Sequence, residues 1–255
     1  MKKVAILQAR LNSSRLPRRV LADLAGRPVL LHILDRLKKS EELDEICVAI
    51  PEIPGEDELA QVGESAGVTL ARGPEHDVLS RFRIASYQTG AEMVVRGKAD
   101  DPLVDVDILD EQLRFLEEHP EVEYVFTRGL PQGTAVESFP QKTLDKLDYL
   151  ARTLEYRKHV TYYLLEHPQT FNVHVMEPPQ ALRRPHYRFS LDTPEDHEVL
   201  KVVYGELYQG EPIPLAEAVN LLDARPELAK LNANVVPSPF QVEHYGAAFA
   251  NPKGA

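Results

Sequence analysis

Short apolar segments alternate with amphipathic helical segments along most of this chain. Strand-like segments fall at 4–9, 45–50, 69–71, 92–95, 124–127 and 188–191. Helical spacing is seen at 28–39, 57–66, 78–89, 108–118, 156–166 and 194–208. This alternation is typical of a mostly parallel sheet covered by helices on both faces. The sequence therefore predicts an α/β fold, a Rossmann-like three-layer sandwich.

The chain of 255 residues is long enough for one large α/β domain, which we predict over residues 1–236. Residues 129–186 are less regular, and we expect them to form a subdomain or arm. Residues 237–255 mix Pro, Gly, Ala and Asn, and we expect a loosely ordered tail.

Several classes of protein do not fit the composition. No apolar stretch approaches the roughly 20 residues of a membrane helix, and the N-terminus lacks the pattern of a signal peptide, so we expect a cytoplasmic protein without membrane contact. The net charge of −11 argues against general nucleic-acid binding. Cys47 is the lone cysteine, which excludes an internal disulfide, and its apolar neighbours predict a buried strand position.

Positive charge is concentrated near the N-terminus. Residues 1–39 carry ten Lys or Arg and two Asp, a net +8, so the remainder carries −19. Four of these arginines, Arg10, Arg15, Arg18 and Arg19, lie in QARLNSSRLPRRVL at 8–21, directly after the first predicted strand. Loops at the carboxyl ends of strands bind ligands in open α/β sheets, and guanidinium groups pair with phosphate oxygens. The segment therefore indicates an anion site, although a solvated basic loop accounts for the composition equally well.

The same segment resembles the N-terminal signature of the cytidylyltransferases, which reads close to QARMGSTRLPGKVL. The similarity is greatest to the spore-coat polysaccharide SpsF-like branch, which is related to the synthetases that activate ketodeoxyoctonate and acylneuraminate. Residues 21–30 continue it with the pattern L-x-x-L-x-G-R-P-V-L. Three of the differences matter for function, because Asn12 and Arg18 replace glycines and Arg19 replaces the family's lysine.

The resemblance implies a nucleotide-diphospho-sugar transferase type of fold and a magnesium-dependent reaction. In that reaction CMP passes from CTP to a sugar acid or related acidic acceptor, in surface polysaccharide precursor synthesis, and pyrophosphate leaves. Arg10, Arg15, Arg19 and Asp100 are the implied catalytic residues. The implied nucleotide-binding residues are Gln8, Ala9, Arg10, Asn12, Ser13, Arg15, Arg19, Asp77, Arg81 and Arg96.

Two carboxylates are the metal ligands that the resemblance implies. Residues 94–105, VVRGKADDPLVD, are similar to the family's R-I-T-G-D-C-P-L-I-D, which assigns Asp100 to the metal and places Asp101 at the usual cysteine. Residues 187–196, YRFSLDTPED, supply Asp192 as the second ligand. Magnesium commonly binds one or two carboxylates together with phosphates and water. The alternatives are a turn cap at Asp100 and Asp101 and a helix start at Thr193.

Further segments carry the expected acceptor and nucleotide contacts. PQGTAVESF at 131–139 and RKHVTYYLLEHP at 157–168 resemble acceptor-side segments, and with Arg188 the implied acceptor residues are Glu137, Arg157, His159 and Arg188. Apart from the resemblance, the sequence favours the interpretation of His159 as an ordinary half-buried helix histidine. RGPEHDVLSRF at 72–82 places Asp77 and Arg81 four residues apart, which fits a surface ion pair as well as a nucleotide contact.

Two other functions and an assembly state follow from particular residues. Asp105-Val106-Asp107 is an Asp-x-Asp string of the kind found in nucleotide-sugar glycosyltransferases, but helix capping is its simpler interpretation. Asn12, Arg18 and Arg19 also leave open a catalytically weak nucleotide-binding protein. Since relatives form pairs, we expect a homodimer with residues 129–186 at the contact.

Overall fold

Nine strands form the sheets of this protein in a computed structural model that describes residues 1–236. They are β1 (Lys3–Gln8), β2 (Asp23–Leu24), β3 (Arg27–Pro28), β4 (Glu45–Pro51), β5 (Thr69–Gly73), β6 (Met93–Lys98), β7 (Tyr124–Thr127), β8 (Glu137–Pro140) and β9 (Val173–Met176). Strands β2 and β3 pair as a small hairpin, and the other seven form one sheet in the order β5-β4-β1-β6-β8-β7-β9. Only β8 runs antiparallel to its neighbours, β6 and β7.

Residues 1–236 also contain ten α-helices. They are α1 (Val29–Leu37), α2 (Asp57–Ser65), α3 (Val78–Thr89), α4 (Val106–Glu118), α5 (Gln141–Leu150), α6 (Leu154–Lys158), α7 (Tyr162–Glu166), α8 (Pro194–Leu207), α9 (Leu215–Ala224) and α10 (Pro226–Leu231). Within residues 1–236, no helix is long and apolar enough to cross a bilayer.

Two apolar cores lie on opposite faces of the sheet because strand side chains alternate between them. In β1, Ala5 and Leu7 pack with α1, α2, α4, α8, α9 and α10, whereas Val4 and Ile6 pack with α3, α5 and α7. Cys47 is fully buried in the second core, as expected, and burial raises the pKa of its thiol to about 12. The arrangement confirms the predicted three-layer α/β sandwich.

Most predicted elements are present, but two are wrong. The predicted strand at 188–191 is reduced to a single bridge between Arg188 and Gln132. The predicted helix at 156–166 is broken into α6 and α7, because Val160 adopts a left-handed φ of 52° that places its fully buried side chain in the second core. A β-branched residue rarely adopts this conformation, so helical spacing did not predict the break.

Residues 129–186 add two strands, β8 and β9, to the central sheet. They also contribute α5, α6 and α7. Because β8 pairs with β6, this less regular segment is part of the central sheet. The predicted tail at 237–255 lies outside the described residues.

A close backbone contact fixes the segment that precedes α8. Gly133 has a φ of +85°, and a Cβ atom there would lie 2.4 Å from the backbone nitrogen of Ser190. Phe189 donates its N–H to the Gln132 carbonyl, and Leu191 donates to the Asp100 carbonyl. The segment from Arg188 to Asp192 is therefore held beside the carboxyl end of β6.

Substitution of Gly133 tests this contact. We expect Gly133→Ala to lower the free energy of unfolding by more than about 2 kcal/mol, because a strained φ and a backbone clash act together. Gly210 has a similar φ of +94° with open space around its Cβ position, so Gly210→Ala should cost only about 1 kcal/mol. Urea unfolding measures both, and equal losses would contradict the role of the close contact.

Candidate active site

The candidate site lies where the carboxyl ends of β1 and β6 meet. These two strands are parallel neighbours, so the loop after Gln8 and the loop after Lys98 leave the same edge of the sheet. The segment that ends at Asp192 lies against the second loop through the bond from Leu191 to Asp100. Three segments that are distant in sequence therefore surround one region.

The loop after β1, residues 9–22, is held in a defined shape by a buried carboxylate. The backbone N–H of Leu11 donates to both oxygens of Glu56 at 3.1 Å, and Glu56 is only 2% exposed. Arg18 donates its backbone N–H back to the Leu11 carbonyl at 2.9 Å. We name residues 9–22 the phosphate loop. Sequence reasoning missed Glu56 because it lies 45 residues from its partner.

Arg18 has the left-handed conformation that a glycine would adopt most easily. Its φ is 58°, and the position is one at which the resembling family has glycine. The guanidinium group points outward and pairs with Glu58 at 2.6 Å. Asn12, which replaces the other glycine, is exposed and does not have a positive φ. Position 18 of the loop therefore has the left-handed conformation although its residue is arginine and not glycine.

Asp192 is the centre of an ion cluster that joins the phosphate loop to the C-terminal part of the chain. Its Oδ1 atom accepts from Arg19 at 2.7 Å and lies 3.2 Å from the Arg15 guanidinium. Its Oδ2 atom accepts from Arg188 at 2.7 Å. Burial alone would raise the pKa of Asp192, but the positive charges of Lys98, Arg19, Arg15 and Arg188 lower it.

Arg19 bridges the two carboxylates that were predicted as metal ligands. One end of its guanidinium pairs with Asp192 and the other pairs with Asp100. It also donates to the Ser13 hydroxyl at 3.3 Å. Asp100 and Asp192 therefore face the same position, beneath the phosphate loop.

Asp196 fixes the orientation of Asp192 from behind. It accepts from the backbone N–H groups of Asp192 and Thr193 at 3.0 Å, from Arg188 at 2.6 Å and from Asn232 at 3.0 Å. Its side chain is fully buried. Thr193 caps α8 in return, so the predicted helix start and the predicted site carboxylate are both present in this segment.

Burial perturbs the carboxyl group next to Asp100. Asp101 is 3% exposed, and burial raises its pKa to about 6 although Lys98 lies 3.0 Å away and opposes the rise. The Oδ1 atoms of both Asp100 and Asp101 are buried without a hydrogen-bond partner. A water molecule, another donor or a cation would satisfy these atoms.

The arrangement of oxygen atoms fits a magnesium ion. Asp100 and Asp192 are hard ligands that share one cationic neighbour, Arg19, and Asp100 has an oxygen without a partner. Within residues 1–236, no group of three or more Asp, Glu, His or Cys side chains is placed to hold a metal. Phosphate oxygens and water would therefore have to complete the coordination.

A second group of site residues surrounds Arg96. Its guanidinium pairs with Glu137 and reaches the side-chain oxygen of Gln8 at 3.4 Å. Glu137 also accepts from the hydroxyls of Tyr124 at 2.7 Å and Thr161 at 2.5 Å. Glu137, predicted at the acceptor, thus positions Arg96.

His159 belongs to this same basic region. Burial, together with the charges of Lys158, Arg96 and Arg10, lowers its pKa to about 4. The imidazole is therefore neutral near pH 7. The cations that act on this imidazole are Lys158, Arg96 and Arg10, of which Arg96 is paired with Glu137.

Arg157 joins two helices. It donates to Asp77 at 2.6 Å and to Ser80 and Asp148 at 2.9 and 2.8 Å. Asp77 also accepts from the Ser80 N–H and so caps α3. Because Asp77 takes Arg157 as its partner, the predicted surface pair with Arg81 is wrong.

Arg81 lies buried beside Arg10. It is 3% exposed, and its Nε and Nη1 atoms have no hydrogen-bond partner. Burial and the charge of Arg10 lower its pKa to about 10. Glu56 supplies the main opposing charge, which connects Arg81 to the anchor of the phosphate loop.

The structure thus divides the predicted residues into groups. Arg15, Arg19, Asp100 and Asp192 meet in one cluster, and Arg188, predicted at the acceptor, lies there too. Gln8, Arg96, Glu137 and His159 lie in the neighbouring basic region. Asp105 instead caps α4 by accepting from Ile108 at 2.9 Å, as its capping interpretation predicted.

This fold and this site define a nucleotidyltransferase of the α/β type. A sequence model described as "Cytidylyltransferase" matches residues 4–231. Since the match covers most of the chain, the protein belongs to the cytidylyltransferase family, as its motifs predicted.

Three curated relatives illustrate the family. An uncharacterised protein of Methanocaldococcus jannaschii is 34% identical over 92% of this chain and 96% of its own length. The spore coat polysaccharide biosynthesis protein SpsF of Bacillus subtilis is 28% identical over 88% of this chain and 95% of its own. The 3-deoxy-manno-octulosonate cytidylyltransferase of Geobacter sulfurreducens is 31% identical over 48% of each chain.

Solved structures share the fold. A cytidylyltransferase from Leptospira borgpetersenii superimposes with a TM-score of 0.84 at 26% identity, over 93% of this chain and 99% of the other. The CMP:2-keto-3-deoxy-manno-octonic acid synthetase, solved in complex with CTP, has a TM-score of 0.65 at 15% identity over 81% of this chain and 99% of its own. At 15% identity, the likeness to the synthetase shows a shared fold.

The raised pKa of Asp101 predicts a pH effect on stability. A folded-state pKa of about 6 against an ordinary 3.8 means that the folded chain holds this proton more tightly. The contribution of Asp101 to the free energy of unfolding therefore falls as pH rises from about 4 to about 6. Above pH 6 the carboxyl is charged in both states, and the full cost of burying that charge lowers the stability. Asp101→Asn removes this cost, so its gain in stability over wild type should grow with pH and reach about 3 kcal/mol above pH 6.

Urea unfolding at a series of pH values measures this difference. Asp107→Asn is the matched control, because Asp107 is exposed, and its difference from wild type should stay flat with pH. A difference between Asp101→Asn and wild type that is constant or falls with pH would show that burial does not raise the pKa of Asp101.

Proposed function

We propose that this protein transfers CMP from CTP to a sugar acid, with release of pyrophosphate and with magnesium as cofactor. The observation that supports the proposal best is the Arg19 bridge, which joins the phosphate loop to both Asp100 and Asp192. Cations that can bind a triphosphate and carboxylates that can bind a metal lie together there, and phosphoryl transfer uses both.

Arg10, Arg15 and Arg19 would hold the triphosphate in this mechanism. Arginine forks bind phosphate oxygens in two places at once, so they restrict both position and rotation. Backbone N–H groups of the phosphate loop add donors, and the bond from Leu11 to Glu56 keeps the loop in shape. The acceptor oxygen attacks the α-phosphorus in line with the departing pyrophosphate, so positioning supplies much of the rate.

Asp100 and Asp192 would hold the magnesium ion. When bound, the metal neutralises the charge that develops on the phosphate oxygens and on the leaving pyrophosphate. Asp196 and Arg188 keep Asp192 in place through buried hydrogen bonds. The mechanism requires no protein nucleophile, because the acceptor itself attacks phosphorus.

Several observations support CTP and a sugar acid as the substrates. Family membership supports cytidylyl transfer, and the synthetase with the same fold was solved with CTP. A relative acts on 3-deoxy-manno-octulosonate, a sugar acid, and SpsF serves polysaccharide synthesis. The region of Arg96, Arg10 and Lys158 around His159 is positive, which suits an acceptor carboxylate. The predicted homodimer remains a prediction.

Magnesium-dependent release of pyrophosphate tests the proposal. We expect release from CTP, in preference to ATP, GTP and UTP, when a panel of sugar acids is supplied. Asp100→Asn should reduce the rate roughly 100-fold or more, because it removes a charged oxygen from the metal site. Asp107→Asn, which changes an exposed carboxylate of the Asp-x-Asp string, should leave the rate unchanged.

One result would contradict the proposed reaction, and another would contradict only the metal assignment. Transfer of sugar from a nucleotide sugar that depends on Asp107 would support glycosyl transfer instead. Equal pyrophosphate release by wild type and Asp100→Asn would remove Asp100 from the metal site while leaving the reaction class intact.

A further inference from the structure

Arg19 occupies the position between the two carboxylates. Its Nη1 atom is 2.7 Å from Asp192, its Nη2 atom pairs with Asp100, and its side chain is only 19% exposed. A guanidinium in this geometry forms one bond to each carboxylate. Asp100 and Asp192 thus have a bound cation that belongs to the protein itself.

Other cations add to this neutralisation. Asp192 also contacts Arg15 and Arg188, and Lys98 contributes a charge that lowers its pKa. The pKa of Arg19 is raised by the charges of Asp100, Asp192 and Asp101, against the effect of burial. The three buried carboxylates are therefore matched by resident positive charge before any ligand binds.

A divalent cation that contacts both Asp100 and Asp192 must share this space with Arg19. Two cations in one partly buried site repel each other strongly, because little water screens them. A metal ion therefore binds the two carboxylates more weakly while Arg19 bridges them. Since no third acidic, His or Cys side chain within residues 1–236 adds to the site, the protein alone offers few other ligands.

A bound triphosphate changes this balance. Arg19 also donates to Ser13 of the phosphate loop, so phosphates held by that loop lie within reach of its guanidinium. Phosphate oxygens compete with carboxylates for arginine forks. Movement of Arg19 from Asp100 and Asp192 to phosphate would expose both carboxylates and bring further oxygen ligands for the metal.

We propose that Arg19 is an internal counter-ion that makes metal binding depend on prior or simultaneous binding of the triphosphate. The inference rests on the proposed function, because it takes Asp100 and Asp192 as the metal ligands. The planar fork of arginine can bridge two carboxylates, whereas a lysine ammonium is a compact point charge. Arg19 at the family's lysine position therefore strengthens the dependence in this chain.

Binding of Mn²⁺ to the nucleotide-free protein, followed by electron paramagnetic resonance, tests the inference without turnover. We expect wild type to bind Mn²⁺ weakly and Arg19→Gln to bind it roughly tenfold or more tightly, because one positive charge is removed from the site. Arg19→Lys should lie between them. Arg18→Gln is the matched control, since Arg18 is adjacent in sequence but pairs with Glu58 outside the cluster.

Thermal unfolding gives a second measurement on the same proteins. Without nucleotide, Mg²⁺ should raise the Tm of Arg19→Gln and leave that of wild type nearly unchanged, because only the variant has a vacant cation position. If Arg19→Gln does not fold, Arg19→Lys supplies the same comparison with a smaller shift.

Tight Mn²⁺ binding by nucleotide-free wild type, equal to that of Arg19→Gln, would overturn the inference and leave the proposed function standing. Equal increases in Mn²⁺ affinity in Arg19→Gln and Arg18→Gln would also overturn it, since they would reflect the change in net charge alone. Absence of added metal binding by every variant, with CTP present as well as absent, would overturn both the inference and the metal assignment.

Discussion

The contact between Arg19 and the Asp100–Asp192 pair is the interaction on which the rest of the site depends. It joins residues 173 positions apart, from the loop after β1 to the segment before α8. The buried charges lie at the carboxyl ends of two parallel strands, where the sheet brings loops together. Together with the contact of Arg15 to Asp192, it connects the phosphate loop directly to the two carboxylates that we propose as metal ligands.

Burying such a cluster is costly, and hydrogen bonds limit the cost. Desolvation of a buried ion pair can exceed the attraction between its charges unless further partners satisfy each group. Asp196 supplies those partners to Arg188 and to the backbone of Asp192. Asp100 and Asp101 nevertheless keep oxygens without partners, which marks the place where the structure is organised for a ligand rather than for stability.

The sequence predicted the repeating part of the fold well. Strand β7 and helix α3 match their predicted bounds, because apolar periodicity there is regular. It did not predict β8, a four-residue antiparallel strand, or the role of Glu56. Arg157 and Arg188 carry no local signal of their partners either, since tertiary contacts alone decide whether an arginine faces a ligand or a buried carboxylate.

We propose that the arginines and carboxylates of this cluster direct attack at the α-phosphorus of CTP. Phosphorus NMR of a reaction with CTP, Mg²⁺ and a sugar acid distinguishes the possible points of attack, because each mode of cleavage gives different products. We expect a new phosphodiester resonance, from CMP joined to the acceptor, together with free pyrophosphate. Release of CDP with inorganic phosphate, or of CDP with a phosphorylated acceptor, would place the attack at another phosphorus and contradict this proposal.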